Sequence, residues 1–269
     1  MPAPKVEFDP SLARDNLDAL ADNSYPGRGI ILGVSEGGEQ AVQVYWVMGR
    51  SPNSRNRVML EENGVVRTDP FDASKVEDPS LIIYNAMRAG HMFNQTHVVS
   101  NGDQTDTVIN HLRNGQEPSV YARFVGALMT RDYEPDADNF TTRITGMTFV
   151  PNFPEQMPGQ ETYAYSLIRR NPATGENEHA FSSGKLEDIP DGSGICFHTY
   201  ERDDGDDVPL PPFAGSPYAV PLGGDAVSIA SEMWDALDEE NRVALAVKTI
   251  NRQTGEVTID IVNQLQEAA

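Results

Sequence analysis

Short apolar runs joined by tight-turn sequences are the feature that most restricts how this chain can fold. GIILGVS and AVQVYWVMG flank Glu36-Gly37-Gly38, and RVMLEENGVVRT contains Asn63-Gly64 at its centre. The same pattern recurs around residues 171–175 and 252–255. Glycine and asparagine at such positions favour the two- to five-residue turns of β-hairpins. The sequence therefore predicts antiparallel strands linked to their neighbours along the chain.

Helical patterns are fewer than strand patterns and fall into a few groups. Asp9-Pro10 predicts the start of a first helix, and further helices are predicted over 103–112, 118–129 and 225–241. The apolar faces expected for the first and last helices comprise Leu12, Leu17, Leu20, Val227, Ala230, Met233, Trp234 and Leu237. Strands outnumber helices without a regular βαβ alternation, which predicts an α+β or mixed α/β fold. We expect one domain over residues 1–269, with residues 1–24 as a helical extension.

The charge of the chain argues against two classes of partner. Acidic residues outnumber basic ones by 41 to 20, a net charge of −21. Such a chain is poorly suited to neutralising nucleic-acid phosphates or to docking on anionic membranes. One cysteine, Cys196, excludes an internal disulfide framework and fits a reducing compartment. The amino terminus lacks an apolar signal core, so we expect a cytoplasmic protein, and the sequence leaves open whether it forms a homo-oligomer.

Familiar cofactor and nucleophile motifs do not account for this sequence. The segment Gly27 to Gly33 has one residue too many for a dinucleotide fingerprint and lies at the start of a strand. The five histidines are scattered, so we expect no metal site. Spacing does not identify a serine or cysteine nucleophile. His198 in a predicted strand is interpreted as a core or rim residue.

One basic segment stands out in the acidic chain. No Asp or Glu occurs from Gln40 to Leu60, although this window contains Arg50, Arg55 and Arg57. Guanidinium groups can bind phosphate through paired hydrogen bonds. The spacing predicts Arg55 and Arg57 on one strand face, with Arg50 on a loop. The absence of nearby acids favours an anion site over a solvated basic patch, and the patch remains the alternative.

Polar residues also interrupt or end other predicted strands. Tyr25-Pro26-Gly27-Arg28 precedes the first strand, and Tyr84-Asn85 ends the run that begins at Leu81. The segment from Ser100 to Asp106 lies between a strand and a helix, where backbone N–H groups can bind a ligand. A simple helix N-cap explains this last segment equally well. Glu134, before a proline, carries no signal of its own.

Taken together, these segments resemble the archaeal-type IMP cyclohydrolase family. The resemblance rests on Tyr25 to Gly29, Gly49 to Arg57, Asp78 to Asn85, and Val98 to Gly102 with Thr105-Asp106. The bacterial branch is more similar still, through Glu134-Pro135-Asp136, Asn139, Thr142-Arg143-Ile144 and Gly146. Each motif is weak alone, and the ordered set over residues 25–146 is fairly specific. The residues before Tyr25 depart from the shorter archaeal members, which leaves open whether this extension covers the site.

The resemblance implies a fold and a reaction. The fold is a four-layered αββα sandwich with mostly antiparallel sheets, like that of N-terminal-nucleophile hydrolases but without a processed nucleophile. The reaction closes 5-formamidoimidazole-4-carboxamide ribotide (FAICAR) to inosine monophosphate (IMP) and water in purine biosynthesis. It belongs to the hydrolases that act on cyclic amidines. It requires no cofactor or metal, and the partner is the small-molecule substrate.

The resemblance also implies site residues. Arg50 would stabilise the tetrahedral oxyanion, Tyr84 would transfer a proton or orient the substrate, and Glu134 would act as general acid and base. The residues expected to bind substrate are Arg28, Ser51, Asn53, Arg55, Arg57, Asn85, Asn101, Gly102, Asp103, Thr105, Asp106 and Arg143. Two alternatives stay open, a non-catalytic purine-nucleotide sensor and an amide hydrolase on the same fold. Which arginine binds the 5′-phosphate is also open.

Overall fold

A computed structural model describes residues 6–76, 79, 82–90, 95–134, 139–151, 160–203, 205 and 209–266. Its strands are β1 (Arg28–Val34), β2 (Gln40–Met48), β3 (Arg57–Glu62), β4 (Val65–Pro70), β5 (Tyr84–Gly90), β6 (Thr96–Ser100), β7 (Arg143–Phe149), β8 (Thr162–Arg170), β9 (Asn177–Lys185), β10 (Ser193–His198), β11 (Tyr218–Pro221), β12 (Arg242–Asn251) and β13 (Val257–Asn263). Its α-helices are α1 (Pro10–Ala21), α2 (Pro52–Arg55), α3 (Gln104–Asn114), α4 (Val120–Leu128) and α5 (Ala226–Asp235). Among the residues described, 3-10 helices cover Ala73–Lys75 and Leu186–Asp188.

The strands form two antiparallel sheets. The first has the order β11-β10-β1-β2-β12-β13, and the second has the order β3-β4-β5-β6-β7-β8-β9. Each predicted hairpin is present, because β1–β2, β3–β4, β8–β9 and β12–β13 are all paired neighbours. At the β3–β4 turn, Asn63 and Gly64 have φ values of 54° and 78°. Positive φ at both central residues matches the right-handed twist of the flanking strands.

Three apolar clusters show how the layers stack. The central cluster joins the inner faces of the two sheets, with Ile30 and Tyr45 from the first and Val99 and Tyr165 from the second. A second cluster packs α1 and α5 on the outer face of the first sheet. A third packs α3 and α4 on the outer face of the second sheet. The predicted α+β class with αββα layers is confirmed, and the likeness to N-terminal-nucleophile hydrolases stays a prediction.

Helix α1 lies in the amino-terminal extension and packs outside the sheets. Asp9 caps it by accepting from the N–H groups of Ser11 and Leu12, as the sequence predicted. Leu17 and Leu20 are buried against the first sheet. Arg14 of α1 also forms a 2.6 Å ion pair with Glu232 of α5. The predicted helix is thus confirmed, whereas the division of the chain into domains stays a prediction.

Several sequence-based boundaries and faces were wrong in detail. Leu12 and Val227 are 39% and 63% exposed. The buried faces of α1 and α5 are formed instead by Ala13, Leu17 and Leu20 and by Ile229, Ala230 and Met233. Tyr84 begins β5 instead of ending a strand, since 82–83 form a turn whose N–H groups bond to Pro79 O. Helix α4 begins after Ser119, whose hydroxyl caps Ala122 N, so Pro118 precedes the cap. Within the described ranges, no helix is both long and apolar enough to cross a bilayer.

Candidate functional site

Three strands begin at the same end of the sandwich with residues that the sequence singled out. Arg28, Arg57 and Tyr84 are the first residues of β1, β3 and β5, and all three are buried. The turn before Arg28 requires Gly27, whose φ is +79°. A Cβ atom at Gly27 would lie 2.3 Å from Thr199 Oγ1. Glycine therefore allows the chain to approach the segment that follows β10 and to place Arg28 at the beginning of the inner strand β1.

A cavity of about 260 Å³ opens at this end, and we call it the arginine cavity. Six of the predicted site residues line it, namely Arg28, Arg50, Ser51, Asn53, Arg57 and Glu134. The remaining lining residues were not among the predicted site residues: Tyr25, Ser54, Ile82, Asn139, Tyr200 and Leu210. Residues that are distant in the sequence thus converge on one space large enough for part of a nucleotide.

The buried part of the arginine cavity contains two guanidinium groups and one carboxylate. Arg28, Arg57 and Glu134 are 7%, 4% and 8% exposed. Burial is the largest single influence on the pKa of Arg28 and lowers it, but the Glu134 carboxylate and the neighbouring tyrosines together outweigh burial and hold the pKa well above its ordinary value. Burial and repulsion from Arg28 lower the pKa of Arg57. The two guanidinium groups are therefore close enough to repel each other, and the Glu134 carboxylate offsets part of their charge.

The two buried arginines have N–H groups without acceptors. Arg57 Nε donates to Ser54 O at 3.0 Å. Arg57 Nη1 and Arg28 Nε are buried with no hydrogen-bond partner among the described residues. Unpaired N–H groups on buried cations are costly unless an anionic or carbonyl oxygen binds them. This part of the cavity is therefore suited to a ligand that supplies acceptor oxygens.

A pair of tyrosine hydroxyls lies close to these charges, although neither tyrosine is among the residues that line the arginine cavity. Tyr84 Oη and Tyr45 Oη are 2.7 Å apart, and both side chains are buried. Burial, followed by the proximity of Tyr84, raises the pKa of Tyr45 well above its ordinary value. The Tyr45 hydroxyl therefore stays protonated at neutral pH. Tyr45 carries no signal in the sequence, because a tyrosine inside an apolar strand is indistinguishable from a core residue.

Arg50 lies at the rim and has a carboxylate partner from a distant loop. Its Nη1 is 3.0 Å from Asp203 Oδ1, and its Cζ lies 5.1 Å from the centroid of the Tyr25 ring. The Tyr25 ring in turn stacks on Tyr200 with centroids 5.9 Å apart. Although the arginine-rich segment has no acid of its own, the fold brings one to Arg50. Ser51 and Asn53 belong to α2 and its cap on the same rim.

Arg55 does not share a strand face with Arg57, so that prediction was wrong. Arg55 is the last residue of the short helix α2, which Ser51 caps by accepting from Ser54 N. Its Nε donates to Gly49 O at 2.9 Å and its Nη2 to Asn241 Oδ1 at 3.0 Å. Arg55 thus ties the segment to the turn before β12 and is not part of the cavity lining.

The second group of predicted binding residues surrounds the β6–α3 connection and does not line the arginine cavity. Asn85 Nδ2 donates to Asp106 at 2.9 Å, and Arg143 Nη1 donates to Gln104 Oε1 at 2.8 Å and to Asp103 at 3.1 Å. Ser100 Oγ bonds to Gly102 O and to the Thr105 hydroxyl within this connection, and Asn101 Nδ2 donates to Thr142 O, just before β7. The fold therefore separates the predicted binding residues into two groups, and these contacts support the β6–α3 turn.

The lone cysteine is poorly placed for nucleophilic chemistry. Cys196 is fully buried in β10, and burial raises the pKa of its thiol to about 12. A thiol must ionise to attack a carbonyl group, and this one stays protonated at neutral pH. Among the residues that the structure describes, His, Cys, Asp and Glu do not form a group of three able to hold a metal ion.

The fold and the arginine cavity define a class: an antiparallel αββα sandwich with a small-molecule cavity of net positive charge at its strand ends. Comparison with protein families assigns the chain within that class. A family model described as IMP cyclohydrolase-like protein matches residues 25–255, and the chain belongs to this family. The match begins at Tyr25, so α1 lies outside it. A search of curated proteins finds no match.

Proposed function

We propose that the protein closes FAICAR to IMP and water. The observation that carries the proposal is the arginine cavity of an IMP cyclohydrolase-like chain, where Arg28, Arg57 and Glu134 are buried together beside the Tyr45–Tyr84 hydroxyl pair. Such a set can bind an oxygen-rich anion and move a proton in one place. The substrate is a small molecule, and the expected location is the cytoplasm.

The polarity of the cavity supports one orientation of the substrate. A phosphate dianion is strongly hydrated, so holding it at the rim requires less desolvation than burying it. Arg50, Ser51 and Asn53 lie at that rim and offer a guanidinium, a hydroxyl and an amide. The imidazole with its carboxamide and formamide groups would then enter the part beside Arg28 and Glu134.

Ring closure balances without a second reactant. The carboxamide nitrogen attacks the formamide carbon, and the C–N bond forms as the carbonyl electron pair moves to oxygen. Proton transfer from nitrogen to that oxygen gives a carbinolamine. The C–O bond then breaks while the former formamide nitrogen loses its proton. The hydroxyl group and this proton leave as water, and IMP remains. Because the attack is intramolecular, holding the carboxamide and formamide groups of the substrate against each other supplies much of the acceleration.

Each buried group has a role in this scheme. Glu134 accepts the proton from the carboxamide nitrogen and returns it to the departing oxygen. A guanidinium stabilises the oxyanion, and the sequence resemblance assigns this role to Arg50. The position of Arg50 at the rim favours phosphate binding for Arg50, with the phosphate replacing Asp203 as its partner, and leaves the oxyanion role to Arg28, which lies beside Glu134. Tyr84 orients the formyl oxygen or relays its proton, with Tyr45 fixing the Tyr84 hydroxyl.

Two other functions would make different demands on the same residues. A purine-nucleotide sensor would use the same arginines without needing Glu134. An amide hydrolase would need a nucleophile, and the buried thiol of Cys196 argues against the cysteine version.

Incubating the purified chain with FAICAR and following IMP formation tests the proposal. We expect turnover by the wild-type chain and a decrease of at least about 100-fold for Glu134→Gln, the size typical of losing general acid–base catalysis. The matched control is Glu187→Gln, which removes an exposed carboxylate that pairs with Lys185. IMP binding without IMP formation would favour the sensor, and hydrolysis of FAICAR back to its amine would favour the amide hydrolase.

A further inference from the structure

A second cavity, of about 450 Å³, lies between α1 and the β10–β11 connection. We call it the extension cavity, because six of its lining residues belong to the amino-terminal extension: Asn16, Ala19, Leu20, Asp22, Asn23 and Ser24. These residues all precede the segment that matches the family. The extension cavity shares no lining residue with the arginine cavity. Part of its wall therefore lies outside the segment that the family model matches.

His198 presents an unpaired nitrogen to the extension cavity. The residue lines the cavity and is 5% exposed. Its Nδ1 is 2.8 Å from Tyr200 O, and since a carbonyl can only accept, Nδ1 carries the hydrogen. Burial lowers the pKa of His198 to about 4, so the ring is neutral at pH 7. Nε2 is then an acceptor, and it has no partner among the described residues.

The charges around the extension cavity also favour a donor. Asp22, Glu201 and Asp203 contribute three carboxylates to the wall, and Arg202 contributes one guanidinium. Glu201 Oε2 is held in place by Gly215 N at 3.3 Å and by a neighbouring amide. Asp203 is paired with Arg50, so Asp22 and Glu201, together with Nε2 of His198, are the acceptors that the wall offers to a ligand.

Aromatic rings form the remaining part of the wall. The rings of His198 and Phe213 have centroids 4.4 Å apart, and Tyr218 lies 5.8 Å from His198. All three rings line the cavity. Aromatic faces attract both flat rings and cations. A ligand that carries a planar ring and a cationic N–H group would satisfy both the rings and the acceptors.

We propose that the extension cavity is a binding site for a planar aromatic cation, a ring that carries an amidinium or guanidinium group. The ring packs against Phe213 and Tyr218, and the cation donates to His198 Nε2 and the Asp22 carboxylate. This site is separate from the proposed FAICAR reaction, and the proposal does not depend on that reaction.

Calorimetric titration with benzamidine tests the site. Three matched probes each lack one feature: benzamide lacks the charge, methylguanidinium lacks the ring, and benzoate reverses the charge. We expect benzamidine to bind at least about tenfold more tightly than any of them, which corresponds to 1.4 kcal/mol. Absence of benzamidine binding would overturn the proposal. Equal binding of methylguanidinium would also overturn it, because attraction to a polyanionic surface would then suffice.

Variants locate the bound probe. Asp22→Asn and His198→Phe should each weaken benzamidine binding at least about fivefold, the loss of one charge-assisted hydrogen bond. Asp18→Asn is the control, because Asp18 is an exposed carboxylate of the same helix that does not line the cavity. Asp22 is exposed, so its variant tests the site even if His198→Phe disturbs folding. Unchanged affinity in Asp22→Asn, or an equal loss in Asp18→Asn, would contradict the assignment.

Discussion

Tyr45 and Tyr84 are joined hydroxyl to hydroxyl at 2.7 Å, across the interface between the two sheets. Tyr45 is on the central strand β2, and Tyr84 is the first residue of β5, at the cavity end. Because burial raises the pKa of Tyr45, its hydroxyl keeps its proton and can hold the Tyr84 oxygen in one orientation. The core of the sandwich thus supports a residue of the candidate site.

Tyr45→Phe should therefore slow turnover without preventing substrate binding. Losing one hydrogen bond of about 1 kcal/mol that orients Tyr84 predicts a roughly fivefold decrease in kcat with little change in KM. Steady-state kinetics with FAICAR measure both constants. Tyr165→Phe is the matched control, since Tyr165 is a buried tyrosine of the same apolar cluster whose hydroxyl is not part of the Tyr45–Tyr84 pair. Equal effects of the two variants would mean that Tyr45 acts only through packing.

Glu134→Gln should destabilise the fold as well as slow the reaction. The Glu134 carboxylate attracts the buried Arg28 guanidinium, and its loss leaves two buried cations that repel each other. Breaking a buried charge pair typically destabilises a protein by about 3–5 kcal/mol. Denaturant unfolding should show this decrease, and inorganic phosphate should raise the stability of Glu134→Gln more than that of the wild-type chain. A variant as stable as the wild-type chain would show that Glu134 does not offset the arginine charge.

Local signals made much of the fold predictable. The Asn63-Gly64 turn and the Asp9 cap depend on residues adjacent in the sequence, and both form as predicted. The orientation of helix faces was harder to predict. Leu12 is apolar and correctly spaced, yet the surface against which α1 packs is formed by remote strands, so Leu12 remains exposed.

The candidate site was predictable only in part, for the same reason. The acid-free segment identified Arg50 and Arg57, since several cations without local acids are unusual in an acidic chain. The partner of Arg50, Asp203, is 153 residues away and has no local signal. Asn101 and Arg143 belong to motifs that resemble the family, but motif membership does not specify which surface a side chain faces. Pro135 and Asp136 of the Glu134 motif lie outside the described residues.

The arginines of the cavity should differ in which kinetic constant they affect. Arg50 is at the rim and pairs with Asp203, so we expect Arg50→Gln to raise KM for FAICAR at least about tenfold with kcat nearly unchanged. Arg28 is buried beside Glu134. Arg28→Lys keeps the positive charge but loses the planar set of guanidinium N–H donors, so it should lower kcat by about 100-fold. Arg67→Gln is the control, as it removes a partly exposed arginine of β4. The reverse pattern would return the oxyanion role to Arg50.

Lys248 provides a test of stability that is independent of the site. It is fully buried in β12 next to Gln43 of β2, and its Nζ has no hydrogen-bond partner among the described residues. Burial lowers its pKa from 10.5 to about 8. Between pH 8 and 10.5, the Lys248 side chain is therefore protonated in the unfolded chain and neutral in the folded chain. We therefore expect Lys248 to lower stability by about 3 kcal/mol below pH 8, a loss that disappears as the pH rises to 10.5. Lys248→Met should raise the free energy of unfolding at pH 7, by an amount that shrinks towards pH 10, whereas exposed Lys185→Met should give no such gain. A Lys248→Met variant less stable than the wild-type chain at pH 7 would mean that the ammonium group is stabilised where it lies.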